Sequence, residues 1–277
     1  DEVLIPEPSY VSYAPGVTFA GGTPRPIVTH FEDEFRLTGE ALRAALTPRT
    51  KALILPYPNN PTGSIMRRED LQQIADALRD TDIIVLADEI YSELTYGGHE
   101  HVSFPSLPGM RERTVLLNGF SKAFAMTGWR VGYACGPRDL LAVMCKIHQY
   151  TIMCASTQGQ LAAEEALAHG LQNDFEDVRT MVRSYDRRRR LMVDALRRMG
   201  LPCFEPLGAF YVFPSIAGTG LSSEEFCQGL LRAEHVACVP GTAFGQSGEG
   251  HIRCSYATSL EKLAEALRRI ERYVNSL

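Results

Sequence analysis

Asn118-Gly-Phe-Ser-Lys-Ala-Phe-Ala-Met-Thr-Gly-Trp-Arg130 puts one lysine, Lys122, on a turn crowded with small residues, eight positions before an arginine. An amine in that setting can condense with an aldehyde only after losing its proton, and desolvation and neighbouring charge bring this within reach of neutral pH. The stretch therefore reads as a cofactor lysine, with Arg130 left to hold a phosphate on the same molecule. A polar surface turn is the competing reading for Ser121-Lys122 taken alone, so the flanking segments have to decide.

Working outward, apolar runs at 114–118 and 130–134 bracket the turn and read as strands. Further strand candidates lie at 2–6, 25–31, 51–56 and 82–88, and the segments Gly39 to Leu46 and Arg67 to Arg79 between them carry apolar residues at helical spacing, with Leu71, Ile74, Ala75 and Leu78 on one face. Strands alternating with helices predict an α/β fold with a mostly parallel sheet flanked by helices. Two helices are expected from Pro137 to His169, then one long arginine-rich helix from Asp174 to Met199. Beyond Leu201 the pattern changes to short strands, 209–213, 236–239 and 252–256, with helices near 223–234 and 259–275, a smaller α+β unit. The boundaries expected are a large domain over 1–176 and a small C-terminal domain over 177–277. Arg187 to Arg190 are interspersed with acidic residues and read as a solvated helix face rather than a nucleic-acid patch.

A net charge of −5 argues against a nucleic-acid footprint, and no apolar run approaches the roughly 18 to 20 residues of a membrane span. The seven cysteines form no Cys-x-x-Cys, which predicts neither a disulfide framework nor a zinc site and fits a reducing cytoplasm. No metal is expected. Asp1 opens directly into Glu2-Val-Leu-Ile-Pro, as though in mid-protein.

Three further segments carry chemistry. Pro58-Asn-Asn-Pro-Thr-Gly63 follows an apolar strand and so lies at a strand's carboxyl end, where open α/β sheets bind ligands, although the same residues make a plain turn. Ile83-Ile-Val-Leu-Ala-Asp88-Glu-Ile-Tyr91 is a buried-strand pattern ending in a carboxylate that is costly to bury without a partner. Gly250-His-Ile-Arg-Cys-Ser-Tyr256 sets Arg253 within a strand-like run, where it needs either an ion-pair partner or an anionic ligand.

Asn-Gly-Phe-Ser-Lys-Ala-Phe-Ala-Met-Thr-Gly-Trp-Arg-Val-Gly-Tyr over 118–133, preceded in order by Asn-Pro-Thr-Gly at 60–63 and Asp88-x-x-Tyr91, resembles the class I/II aminotransferases of fold type I, pyridoxal-phosphate (PLP) enzymes. The resemblance covers essentially the whole chain and is nearest to the aspartate, aromatic and N-acetyl-diaminopimelate branch. It implies transfer of an amino group from an L-amino acid to a 2-oxo acid by a ping-pong route, with Lys122 as the Schiff-base lysine. Asp88 would keep the pyridine nitrogen protonated so that the ring accepts electrons. Asn60 and Tyr91 would bond the phenolic oxygen, Ser121 and Arg130 the phosphate, and Tyr10 would stack on the ring, with Tyr13 behind it. Arg253 would clamp the substrate's α-carboxylate, with Gly208-Ala-Phe-Tyr211 and Val239-Pro-Gly-Thr-Ala-Phe-Gly245 standing before it in the family's order, while Arg232 and Arg268 face solvent on helices and His251 is no general base. Glu89 is structural.

Gly119 stands where some subfamilies carry a hydroxyl. The family also implies a homodimer and an N-terminal portion, on the order of a hundred residues, that supplies a phosphate-binding helix N-terminus. Without it the expected pocket is open on one side, with Tyr10, Tyr91 and Phe120 more exposed than active-site packing requires. Two alternatives share the fold: a carbon-sulfur β-lyase, and the sensor domain of a transcription regulator.

Overall fold

The computed structural model describes all 277 residues, Asp1–Leu277. A six-stranded sheet is built from β1 (Glu2–Glu7), β2 (Thr23–Val28), β3 (Thr50–Leu55), β4 (Ile84–Asp88), β5 (Thr114–Gly119) and β6 (Gly132–Cys135), in the order β2-β1-β3-β4-β5-β6. All neighbours are parallel except β5 and β6, which pair antiparallel. Leu4, Leu53, Leu55, Val85 and Ala87 turn into one core with α2 (Gly39–Ala45) and α3 (Arg68–Leu78), while α1 (Tyr13–Phe19) packs Val17 against Ile5 and Ile54 on the other face. Coverage of both faces is why these strands read as continuous apolar runs. α3 buries Leu71, Ile74, Ala75 and Leu78, the face legible from spacing, and its start is fixed by Asp70, whose carboxylate accepts from the Arg67 amide at 2.9 Å.

A short helix, α4 (Phe120–Ala123), follows β5 and holds the lysine. Then come α5 (Arg138–Thr151), α6 (Thr157–Gln172) and the long α7 (Glu176–Arg198). A three-stranded antiparallel sheet follows, β7 (Tyr211–Val212), β8 (Val239–Pro240) and β9 (Ile252–Ser255), in the order β7-β9-β8, packed with α7, α8 (Ser223–Glu234) and α9 (Leu260–Val274) around Phe226, Leu230, Ile252, Tyr256 and Leu267. The helices are capped as their sequences direct: Ser222 and Glu225 close a reciprocal box at α8, and Ser259 accepts from the Lys262 amide at α9.

Two expectations are corrected, and one helix had no expectation at all. The run 209–213 is a strand only at Tyr211–Val212, because Ala209 adopts a left-handed φ of 57° and its carbonyl accepts from the hydroxyls of Tyr96 and Tyr256 instead of a neighbouring strand. α1 has no helical signal, since Pro15 and Gly16 interrupt it; proline is tolerated there because the first turn has no intrahelical acceptor for its missing N–H. Arg189 is not on a solvated face. Its side chain is 3% exposed, paired with Asp186 at 2.7 Å and with Glu205, and its guanidinium lies 5.4 Å from the Tyr96 ring centre.

The small sheet is seated on the carboxyl edge of the large one by specific backbone contacts. The Gly208 amide donates to the Gly63 carbonyl at 2.9 Å, Ser9 donates to Phe244 at 3.0 Å, and the Ser247 amide donates to Glu7 at 3.0 Å. Gly63 has φ of 76°, and a Cβ there would stand 2.5 Å from Pro206 Cβ and 2.8 Å from the Tyr211 carbonyl, so only glycine closes this approach.

Candidate active site

Each parallel strand of the large sheet ends at the same edge, and the residues just past those ends converge there. Beyond β1 comes Tyr10, beyond β3 Asn60, at the end of β4 Asp88 and then Tyr91, and beyond β5 Ser121 and Lys122. Arg130 stands two residues before β6, whose register sets Gly119 opposite Gly132 and so brings the arginine back beside the lysine turn. A Cβ on Gly119 would lie 2.9 Å from both Gly132 Cα and the Val131 carbonyl, which explains the absence of a hydroxyl-bearing side chain at this position. Arg253 arrives from β9. One cavity of 570 Å³ is lined by Tyr10, Tyr13, Asn60, Asp88, Tyr91, Ser121, Lys122, Arg130, Tyr211 and Arg253, so all eight residues singled out in the sequence meet.

The polar groups are tied to one another. Tyr13 donates to Asp88 Oδ2 at 2.7 Å and the Ile90 amide donates to Oδ1 at 3.1 Å. Burial raises the Asp88 carboxyl above its ordinary range, while both hydrogen bonds favour its ionised form. Burial also lowers the pKa of the Lys122 amine, the positive charges of Arg130 and Arg253 act in the same direction, and Asp88 opposes them. The amine lies 5.7 Å from the Tyr91 ring centre and 5.5 Å from that of Phe210. Arg253 Nη1 donates to Asn60 Oδ1 at 2.9 Å, and its guanidinium sits between the rings of Tyr211 at 4.6 Å and Phe244 at 4.8 Å. Arg130 has a left-handed φ of 57°, a conformation that costs a non-glycine residue on the order of 1 kcal/mol, and its Nη1 donates to the Thr127 carbonyl at 2.8 Å. Strain of this kind collects at ligand sites, and Arg130 lines the cavity.

The predicted exposure of three aromatics is corrected in two cases. Tyr10 is 42% exposed, but Tyr91 is 5% and Phe120 7% exposed. Tyr91 is covered by Phe210 and Tyr211 from the small sheet, and Phe120 by Met126, Val131 and Ala163. Glu89 is buried and accepts from the Phe104 amide and His101, a structural role. His251 lies outside the cavity, stacked 5.1 Å from Phe213.

Two lining residues escaped the sequence reading as polar partners. Tyr13 reaches Asp88 only because α1 turns back beneath the sheet. The Tyr211 hydroxyl lies 3.2 Å from that of Tyr91, across a sequence separation of 120 residues. The only sequence signal was, for Tyr13, its nearness to Tyr10 and, for Tyr211, its place in the Gly208-Ala-Phe-Tyr211 segment.

A family model described as aminotransferase class I and II matches residues 1–270. A Bacillus subtilis protein named as an aminotransferase is 53% identical over 275 residues, 99% of this chain and 70% of that protein. An aspartate aminotransferase of Pyrococcus abyssi is 48% identical, covering 98% of this chain and 69% of its own length. The solved aromatic aminotransferase of Pyrococcus horikoshii superposes with a TM-score of 0.97 at 47% identity, over 100% of this chain and 74% of that one. With its site assembled at the strand ends and this agreement along its whole length, the chain belongs to the class I and II aminotransferases and is a PLP-dependent transaminase.

Proposed function

We propose that the eight lining residues divide the work of this transamination as follows, and what carries the reading is their convergence in one cavity. The donor set fits PLP: an anionic carboxylate for a pyridine nitrogen, an amine of lowered pKa for an aldehyde, a phenol and an amide for a phenolic oxygen, and a hydroxyl with a guanidinium for a phosphate. When bound, the cofactor supplies an aldehyde that condenses with amines and a ring that takes up the electron pair left at the substrate's Cα. Asp88, whose ionised form Tyr13 and the Ile90 amide favour against burial, would keep a proton on the pyridine nitrogen. Asn60 and Tyr91 would orient the phenolic oxygen, Tyr10 would lie against the ring, and Ser121 and Arg130 would hold the phosphate, for which a planar guanidinium is suited. Arg253 binds the α-carboxylate of an L-amino acid. That contact would present the Cα–H bond to Lys122, whose Nζ, of lowered pKa, would take up and give back the proton.

The second substrate is a 2-oxo acid bound by the same arginine, so the two half-reactions use one site in turn. Aspartate and aromatic amino acids are the donors to try first, following the relatives' names. The apolar surface of α5 and the turn after it, with Ile147, Ile152, Met153 and a Tyr150 that is 89% exposed, supports a two-fold homodimer, and the seven free thiols fit a reducing cytoplasm. We also place the boundary between large and small domains at 176/177, at the start of α7.

The test is a single-turnover experiment. The loaded protein given amino acid alone should form one equivalent of 2-oxo acid and no free ammonia, and Lys122→Ala should abolish this. Ammonia and pyruvate from a β-substituted amino acid would point instead to β-elimination, and a Lys122→Ala protein with most of its activity would overturn the assignment.

A further inference from the structure

Tyr211 is buried in the cavity wall and touches both halves of the site. Its hydroxyl meets that of Tyr91 at 3.2 Å, and its ring lies 4.6 Å from the guanidinium carbon of Arg253. Two facing phenols share one hydrogen bond, so one hydroxyl donates and the other accepts. If Tyr91 donates to Tyr211, its proton is spent on the wall. If Tyr211 donates, the Tyr91 proton is free for the cavity, and cooperativity makes Tyr91 the stronger donor. Only the second arrangement lets Tyr91 serve an acceptor inside the cavity.

The ring has a separate effect. Arg253 is held between Tyr211 and Phe244, 4.6 and 4.8 Å from their centres, which confines the guanidinium plane and leaves its edge to reach Asn60 and the cavity. Tyr211 sits opposite Ser255 in the β7–β9 pair, two residues from Arg253, so the ring and the guanidinium are fixed by the same short sheet.

We propose that Tyr211 is a positioning residue which couples the carboxylate arm of the site to the cofactor arm: its hydroxyl directs the Tyr91 proton into the cavity and its ring sets the plane of Arg253. The proposal rests on the roles given above to Tyr91 and Arg253. It makes hydroxyl and ring separable. A stronger donor to the cofactor's ring oxygen stabilises the anionic form of that oxygen and lowers the pH at which the loaded site releases its proton, an event visible in absorbance.

Three variants test it. Tyr211→Phe should move the absorbance titration of the loaded protein up by about half to one pH unit, the effect of one neutral hydrogen bond. It should leave binding of the tighter of succinate and 3-phenylpropionate within about twofold of wild type, because the ring remains. Tyr211→Leu should show the same titration shift and also weaken that carboxylate about 3- to 30-fold, the range for a cation held on a partly desolvated ring. Lys122→Ala is the control, and it should lose the titrating band. Retention of that band would fault the assignment of Lys122 and leave Tyr211 to be judged on carboxylate binding. A wild-type titration in Tyr211→Phe, or wild-type carboxylate affinity in Tyr211→Leu, would overturn the coupling.

Discussion

Tyr13→Phe removes one oxygen and leaves the ring that packs edge-on at 5.7 Å against Tyr10. The atom lost is the donor at 2.7 Å from Asp88 Oδ2, leaving the carboxylate only the Ile90 amide at 3.1 Å. A hydrogen bond to a charged group contributes about 1.5 to 3 kcal/mol. At 1.36 kcal/mol per pKa unit this corresponds to about one to two units, and the solvent that enters an open cavity favours the lower figure. The sign follows from the bond's preference for the ionised carboxylate: without it the Asp88 pKa rises, above the level to which burial already lifts it. A neutral Asp88 no longer holds the pyridine proton, so PLP affinity falls on the acid side. Affinity of the unloaded protein for PLP, followed by absorbance from about pH 5 to pH 8.5, should therefore show an acid limb displaced upward by about one unit in Tyr13→Phe, with wild-type affinity on the alkaline plateau. An acid limb that stays in place, with the plateau intact, would refute the idea that Tyr13 sets the charge of Asp88.

Away from the cavity, Arg189→Met should lower unfolding free energy in urea by about 3 kcal/mol, the low end for breaking a buried ion pair, because the Glu205 carboxylate left behind is still partly in water. A loss under about 1 kcal/mol would class the pair with ordinary surface bridges. His251 is stacked on Phe213 with its Nε2 buried and without a hydrogen-bond partner, and burial lowers its pKa against the opposing charges of Glu249 and Glu32. Its depressed folded-state pKa means that the unfolded chain binds the proton first, so its effect on stability is absent above about pH 6.5 and becomes a loss as pH falls below that value. His251→Phe should flatten this part of the acid slope, and a slope identical to wild type would show that His251 titrates freely in the folded protein.

The sequence by itself determined the strand–helix alternation, because strands buried on both faces must be apolar throughout and α3 must repeat its apolar residues at helical spacing. It also determined which polar residues stand near strand ends, since Asp88 closes an apolar run and Asn60 and Lys122 follow theirs within a few residues, and a sheet whose strands run parallel collects those ends at one edge. What tertiary structure decided were the contacts between residues far apart in the chain. Tyr13 bonds Asp88 because α1, invisible to periodicity through Pro15 and Gly16, folds back under the sheet. Tyr211 meets Tyr91, and Arg253 meets Asn60, because Gly63 and Gly208 allow two backbones to close to a hydrogen bond and so seat the small sheet on the large one. The same distinction explains Arg189: four consecutive arginines look alike in sequence, and only the position of Tyr96 and Glu205 beside α7 selects which one is buried. Local pattern reports which face of an element is apolar, whereas the pairing of polar groups depends on how separate elements dock.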